Sequence, residues 1–281
     1  MSGPRPLAGV RLHYPEYLME LSGVALLMVV RCVIGVVLEY PASPVHHSIM
    51  SGIERRVLTG VAYGFITLTY VYSRWGRQSG GHLNPAMTMA YFRLGKVGPA
   101  DAFGYVMAQF FGAALGVGLS TYFFGSRLTR DPLMSLVTMP AGGLLAAFVA
   151  QVLVAFLLMT TVLTLPNSSK YAAYTGICAA ALMMISFPLV TPISGASINP
   201  ARSFGSAIVA WNWHALWLYL TAPALGMLTG AETFRKTRGA SSVICAKLQH
   251  DNCYPCIFRC GYAAAVSPGE VQGPVQQVAI S

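Results

Sequence analysis

Charged residues are scarce in this sequence of 281 residues, and acidic residues are the scarcest, with 18 Lys and Arg against 9 Asp and Glu. Charged side chains make up 10% of the chain, whereas an average soluble domain carries roughly 25%. So few charges are too few to cover a water-facing surface of this size. The composition therefore excludes an ordinary soluble protein.

Long apolar runs take the place of the missing charge. Hydrophobic residues make up 55% of the chain, and they cluster in runs such as 57–72 and 142–165. About 20 apolar residues cross the hydrocarbon core of a bilayer as a helix. The pattern predicts a multi-pass integral membrane protein with six spans, at about 17–38, 57–73, 101–124, 142–165, 171–187 and 214–234. Residues 1–15 have no apolar core, so no cleavable signal is predicted.

The placement of the basic residues predicts the orientation. With the N-terminus inside, twelve of the 18 Lys and Arg lie on the cytoplasmic side, and the outer loops hold only Arg55, Arg56, Arg127 and Arg130. This is the positive-inside pattern. It predicts that both termini are cytoplasmic, in the plasma membrane or an internal membrane, and that the net charge of +9 does not indicate a nucleic-acid partner.

Two short segments between the spans repeat each other. Residues 79–86 read SGGHLNPA and residues 194–201 read SGASINPA, which places Asn84 and Asn199 115 positions apart. The chain is therefore an internal repeat with halves at about 17–125 and 141–234. Because each half has three spans, an odd number, the second half must enter the membrane from the opposite side.

Each repeated motif predicts the start of a half-helix. Asn is a strong N-cap and Pro favours the first helical position, so helices start at Pro85 and Pro200 and run for about ten residues. Such a helix is about 15 Å long and crosses half a bilayer. The inverted repeat brings the two N-termini together at the midplane, each with roughly +0.5 of an elementary charge. A lumen there repels cations, while the amides of Asn84 and Asn199 donate hydrogen bonds to a neutral molecule. A single Asn-Pro would indicate only a turn, but two in register favour a pore.

On these two motifs the chain resembles the aquaporin (major intrinsic protein) family over about residues 17–234. The resemblance implies an all-α fold of six tilted transmembrane helices and two re-entrant half-helices in inverted repeats. It also implies a homotetramer in a lipid bilayer with one pore per subunit, without a cofactor or an enzymatic activity. The pore motifs it implies are Asn84, Pro85, Ala86, Asn199, Pro200 and Ala201.

The resemblance also implies residues that support and narrow the pore. Glu20 matches the family's helix 1 glutamate, its counterpart Gln151 departs from the pattern by lacking the charge, and His82 is structural. The narrowest point, the selectivity filter, takes its residues by position, with either Tyr63 or Gly64 from the second span. The other three filter residues are Phe187, Ala196 and Arg202.

The predicted function is passive conduction of water, and of small neutral solutes such as hydrogen peroxide, urea or glycerol, with protons and ions excluded. Ser203 and Ala207 match the water-channel branch, whereas Phe187 stands where strictly water-selective members usually have His. A non-conducting structural homologue and a secondary transporter are the alternatives. The transporter would need titratable groups at the midplane, and neither half-helix segment contains an acidic residue.

Two features remain open. Arg31 falls in the middle of the first span and faces a crevice, a neighbouring subunit or the outer leaflet. The cytoplasmic tails are residues 1–16 and 235–281, with disorder predicted from Ala263 onward. The C-terminal tail has four cysteines and a histidine, for which unmodified thiols, a zinc site and palmitoylation are three alternatives. The candidate metal ligands are Cys253, Cys256, Cys260 and His250, with Cys245 nearby.

Overall fold

The computed structural model describes residues 13–126, 128, 136–167, 171–250 and 253–261, and these residues form helices and no strand. The first half contains α1 (Tyr14–Glu39), α2 (Pro44–Ser48), α3 (Gly52–Tyr72), α4 (Arg74–Ser79), α5 (Pro85–Arg93) and α6 (Pro99–Phe124). The second half contains α7 (Leu144–Thr164), α8 (Thr175–Ser194), α9 (Pro200–Ala210) and α10 (Leu216–Arg238). Two short 3₁₀ helices are Ala172–Tyr174 and Ala240–Ser242. The predicted disorder after residue 262 lies outside the described residues.

The six long helices and both half-helices of the prediction are present, but several boundaries differ. Helix α3 begins at Gly52 rather than 57 because Ser51 caps it, accepting a hydrogen bond from the Glu54 N–H. Helix α1 begins at Tyr14, and α10 ends at Arg238, so both extend a few residues into the predicted tails.

The predicted end of the fifth span at residue 187 is wrong, because α8 continues to Ser194 through two prolines. A proline inside a helix leaves the carbonyl four residues earlier without its donor. Pro188 does this to Met184, and Gly60 of α3 packs against that carbonyl, so that a Cβ on Gly60 would lie 2.9 Å from the oxygen. Neighbouring helices shield such interruptions in a membrane bundle.

Helix pairing follows the repeat. Helix α1 packs on α6 in the first half, as α7 packs on α10 in the second, and α3 packs on α8 between the halves. Each half-helix packs against a long helix of the other half, since α5 contacts α10 and α9 contacts α6. This packing brings α5 and α9 together at the centre of the bundle.

Glycines permit the closest helix contacts in both halves. A Cβ on Gly112 of α6 would lie 2.3 Å from the carbonyl oxygen of Leu21 in α1, and one on Gly226 of α10 would lie 2.3 Å from that of Val152 in α7. Only a residue without a side chain fits such a contact, which is typical of membrane helix pairs.

The outside of the bundle is apolar. Large hydrophobic side chains point outward along the helices, including Phe111, Leu145 and Leu189, each more than 60% exposed. Within the described part of the chain, four helical segments are long and apolar enough to cross a membrane: 14–39, 99–124, 144–164 and 172–194. Helices α3 and α10, of 21 and 23 residues, are more polar because charged residues lie near one end of each. A surface of this kind fits a hydrocarbon environment.

Candidate functional site

Both repeated motifs cap a half-helix. The side-chain Oδ1 of each asparagine accepts a 3.0 Å hydrogen bond from the backbone N–H two residues later, and the following proline takes the first helical position. This satisfies one of the donors that a helix N-terminus leaves unpaired. The residues of the two caps are Asn84, Pro85, Ala86, Asn199, Pro200 and Ala201.

The two asparagines also join the half-helices to each other. Nδ2 of Asn84 donates to the carbonyl of Ile198 at 2.9 Å, and Nδ2 of Asn199 donates to the carbonyl of Leu83 at 2.7 Å. Leu83 and Ile198 have φ of 52° and 56°, the left-handed region that branched residues rarely adopt. The strained residue before each cap thus presents its carbonyl to the opposite asparagine.

Glu20 holds the loop between α4 and α5, residues 80–84 and here called the first loop, in this conformation. Its Oε1 accepts hydrogen bonds from the Ser79 hydroxyl at 2.9 Å and the His82 N–H at 3.1 Å. Its Oε2 accepts from the Leu83 N–H at 2.6 Å and from Gln109 Nε2 at 2.8 Å. Glu20 has no exposed surface. Four donors compensate for the burial of this carboxyl group.

Gln151 takes the corresponding position in the second half with fewer bonds. Its Oε1 accepts from the Ile198 N–H at 2.7 Å, and its Nε2 donates to the Ser194 hydroxyl at 2.8 Å. The neutral amide therefore holds one strained loop N–H where Glu20 holds two backbone donors. Gln151 therefore holds the second loop (residues 195–199) with fewer hydrogen bonds than Glu20 makes to the first.

Asn84 and Asn199 line one cavity of about 60 Å³ at the centre of the bundle. At roughly 10–15 Å³ of such volume for each water molecule, this space holds several. The remaining wall is mostly apolar, with Leu27, Leu158 and Met183 among its residues, and none of the described residues that line it is acidic, Lys or Arg. A few polar groups in an apolar wall are typical of a small-molecule site.

The predicted filter residues lie together beside this cavity. The guanidinium carbon of Arg202 is 5.7 Å from the ring centre of Tyr63 and 5.5 Å from that of Phe187, and the two ring centres are 6.4 Å apart. Arg202 donates to the carbonyl of Ala196 through Nη1 and to that of Gly195 through Nη2 at 3.4 Å. These bonds hold the cation next to two adjacent aromatic rings.

The alternative filter residue Gly64 lies elsewhere. A Cβ on Gly64 would be 2.3 Å from Cγ of Met184, so Gly64 sits in the contact between α3 and α8. Tyr63 on the same helix faces Arg202 instead.

Arg31 is buried, with 4% of its surface exposed. It lies close enough to Tyr63 and Arg202 to interact with both electrostatically. This position on the inside of the bundle excludes the snorkelling alternative for this residue. A second cation near the filter was not predicted, because helical periodicity alone does not say which way a lone arginine points.

His82 links the first loop to the C-terminal segment. Its Nε2 lies 2.8 Å from the carbonyl of Ala246, which only accepts, so Nε2 carries the proton and Nδ1 accepts from the Thr88 hydroxyl at 3.0 Å. The ring stacks on Tyr91 and Phe258, with ring centres 5.1 and 5.3 Å apart.

Residues 243–250 and 253–261, here called the tail segment, pack against one end of the bundle. The Leu248 N–H donates to the Gly80 carbonyl at 3.0 Å, and the Arg259 N–H donates to that of Lys96 at 3.0 Å. Leu248 also lines the central cavity. No periodicity in the sequence indicates this docking, because the described residues of the segment have an irregular backbone.

The tail segment brings together a different cysteine set from the predicted one. Cys245, His250, Cys256 and Cys260 place their ligand atoms within 4.8 Å of one another. Cys253, which the sequence also offered as a ligand, is exposed in a turn and is not a member of this cluster. A hydrogen bond from the Cys245 thiol lowers the pKa of Cys256.

Six long helices in two inverted halves, with two half-helices capped around a central cavity, define an integral membrane protein of the inverted-repeat class. The model of the family described as Major intrinsic protein matches residues 13–234. The chain belongs to this family.

Several plant proteins are similar to this chain. Aquaporin NIP1-1 of Zea mays is 30% identical over 179 residues, covering 63% of this chain and 62% of its own. Nodulin-26 of Glycine max is 32% identical over 180 residues, covering 63% and 64%. The chain thus spans less than two thirds of the length of these curated relatives. The solved aquaglyceroporin from Plasmodium falciparum shares the fold, with a TM-score of 0.63, 17% identity, and coverage of 82% of this chain and 98% of that one.

Proposed function

We propose that this chain is a passive channel for water and small neutral solutes that excludes ions. One observation carries the proposal, namely that Asn84 and Asn199 cap two opposed half-helices and line the same cavity. Membership of the major intrinsic protein family supports the same function.

The two caps account for conduction and for exclusion. Each asparagine amide has two N–H donors, and one of them is used on the opposite loop carbonyl. The second is available to a molecule in the cavity. Two half-helix N-termini add roughly +0.5 of an elementary charge each, which opposes the entry of a cation. The absence of an acidic residue from the described cavity lining argues against an ion-coupled transporter.

The filter determines the range of solutes. Arg202 supplies fixed donors, and Tyr63 and Phe187 supply two apolar walls along which a carbon skeleton can slide. We therefore expect water together with hydrogen peroxide, urea or glycerol. The similarity in fold to a protein named an aquaglyceroporin agrees with this range.

The proposal extends to orientation and assembly. The excess of Lys and Arg on one side supports cytoplasmic termini, so the tail segment faces the cytosol. The family resemblance supports a homotetramer with one pore in each subunit.

Stopped-flow light scattering on proteoliposomes, with water and glycerol measured in parallel, tests the function. Water flux above that of empty liposomes, without ion leakage, is expected. Flux equal to that of empty liposomes would support a non-conducting structural protein. Solute uptake that depends on an ion gradient would support a transporter.

A further inference from the structure

The tail segment holds a four-residue cluster whose geometry matches a metal site. The Sγ atoms of Cys245 and Cys256 are 3.5 Å apart, and Sγ of Cys260 is 3.2 Å from Nε2 of His250. All four atoms lie within 4.8 Å of one another. Tetrahedral zinc with Zn–S bonds of about 2.3 Å places its ligand atoms about 3.8 Å apart. The separations of the four atoms are thus in the range that one tetrahedral zinc ion requires.

We infer that Cys245, His250, Cys256 and Cys260 bind one zinc ion. Three thiols and one imidazole form a Cys₃His set, which is a common structural zinc site. Binding converts the three thiols to thiolates and releases their three protons, and the imidazole binds in its neutral form. A disulfide between Cys245 and Cys256 would use only two of these ligands.

The surroundings suit the charge of such a site. One Zn²⁺ with three thiolates has a net charge of minus one. Lys247 is buried, with 1% of its surface exposed, and its Nζ donates to the carbonyl of Pro255, the residue before Cys256. Arg259 adjoins Cys260. Cations placed around a thiolate site stabilise it, as groups around a metal site commonly do.

The site also explains how the tail segment keeps a fixed shape. Beyond the short 3₁₀ helix Ala240–Ser242, its described residues form no further helix and no strand, yet Val243, Ala246 and Leu248 are buried against the bundle. Small irregular segments without a core of their own usually need a metal or a disulfide to fold. In a reducing compartment, zinc serves this role and a disulfide does not.

Metal content of the full-length protein, purified with a reductant, tests the site. The matched variants are the double substitution Cys256→Ser with Cys260→Ser, and Cys253→Ser, which removes an exposed cysteine outside the cluster. After removal of weakly held metal, we expect about one zinc per chain in the wild type and in Cys253→Ser, and almost none in the double variant.

Cobalt added to the stripped protein gives a second measurement, since tetrahedral thiolate coordination produces intense absorption bands. Size-exclusion chromatography shows whether the double variant remains folded. A wild type that takes up neither zinc nor cobalt would overturn the inference. So would an equal loss of metal in Cys253→Ser, or a Cys245–Cys256 disulfide in protein alkylated at lysis.

A separate observation gives the tail segment a place in conduction. Leu248 is 4% exposed, lies two residues before His250 and lines the same cavity as Asn84 and Asn199. Its N–H is bonded to the carbonyl of Gly80 in the first pore loop. Resting on the proposed function, the geometry points to a gate in which the metal-held tail segment places Leu248 in the cytoplasmic mouth of the pore. An apolar side chain at a constriction closes a pore by removing its water.

Water permeability of proteoliposomes tests the gate. Leu248→Ala is expected to raise the flux per channel about threefold or more, since it removes the apolar constriction. Ile257→Ala, a control on the same segment that does not line the cavity, is expected to match the wild type. A strong zinc chelator is expected to raise the flux of the wild type but not of the double cysteine variant.

The outcomes distinguish a failure of the gate from a failure of the proposed channel function. Equal flux in the wild type and Leu248→Ala, with no response to the chelator, would overturn the gate while leaving the channel intact. Flux equal to that of empty liposomes in every variant would overturn the proposed function and the gate together. The zinc measurement is independent of the proposed function, and the response to the chelator tests whether the gate depends on the metal.

Discussion

Asn84 and Asn199 are the residues on which both the half-helix caps and the proposed conduction depend. The Oδ1 atom is used inside its own half-helix, and one Nδ2–H is used on the opposite loop. Only the remaining N–H is available to the lumen, and it lies at the positive end of the helix. The interpretation of these residues as pore donors is therefore an electrostatic hypothesis that a change of charge can test.

Replacing Asn199 with Asp keeps the cap but places a negative charge at the half-helix N-terminus. We expect the variant to admit cations, because the charge cancels the roughly +0.5 that repels them. The measurement is cation flux into proteoliposomes alongside water flux. Asn212→Asp, which adds the same charge in the loop after α9, is the control and is expected to remain cation-tight. A conducting Asn199→Asp variant that excludes cations would contradict the electrostatic account.

A substitution at Phe187 tests the predicted selectivity filter. Replacing it with His makes the wall smaller and more polar, so a carbon skeleton loses its apolar surface. We expect glycerol and urea permeability to fall several-fold while water flux changes less than about twofold. Phe65→His, on the exposed face of α3, is the control. A wild type that already excludes every solute larger than water would refute the assignment of Phe187 and Tyr63 to the filter.

At the scale of secondary-structure elements, Glu20 holds the first loop (residues 80–84) and Gln151 holds the second loop (residues 195–199) with different numbers of hydrogen bonds. Leu83 and Ile198 adopt the same left-handed backbone, which costs free energy in each loop. Glu20 accepts four hydrogen bonds, three from residues 79–83 and one from Gln109 of α6, whereas Gln151 makes two, with Ser194 and Ile198. The halves are thus alike in shape and different in strength.

Because Glu20 and Gln151 make different numbers of hydrogen bonds, we expect their replacement to lower the stability of the protein by different amounts. Gln151→Leu leaves the buried Ile198 N–H unpaired, which costs about 1–3 kcal/mol. Glu20→Leu leaves four donors unpaired, so we expect a larger loss of thermal stability in detergent. Glu54→Gln, at an exposed helix end, serves as the control and should have little effect. Equal losses for Glu20→Leu and Gln151→Leu would contradict the unequal support.

At the scale of the whole molecule, the sequence predicts the features that depend on residues close together in the chain, and not those that depend on residues far apart. Half-helix starts at Pro85 and Pro200 were predictable because a cap and a proline act within a few residues. The end of α8 was not, because the packing of Gly60 against Met184 allows the helix to pass Pro188. The docking of the tail segment was not predictable either, since its bonds join residues far apart in the chain.

The metal candidates show the same limit. Spacing alone favoured Cys253 with Cys256, the nearest pair in the sequence. The fold instead brings Cys245 next to His250, Cys256 and Cys260 and leaves Cys253 outside the cluster. Local spacing therefore indicated three of the four clustered residues, and the fourth depends on tertiary contacts.

The orientation in the membrane is a property of the whole molecule. Helix α1 begins near the tail segment, since Tyr17 packs on Tyr105 and Tyr105 packs on Phe258. Its 26 residues extend about 39 Å to the opposite end, where α2 follows. Cytoplasmic termini therefore place Cys253 inside and His47 of α2 outside. A membrane-impermeant maleimide applied to intact cells is expected to leave the wild type unlabelled at Cys253 until the cells are permeabilised. A His47→Cys variant in a Cys253→Ser background is the matched control, expected to be labelled in intact cells. Labelling of Cys253 in intact cells would reverse the orientation and place the tail segment in an oxidising compartment, where its thiols would form disulfides in preference to a zinc site.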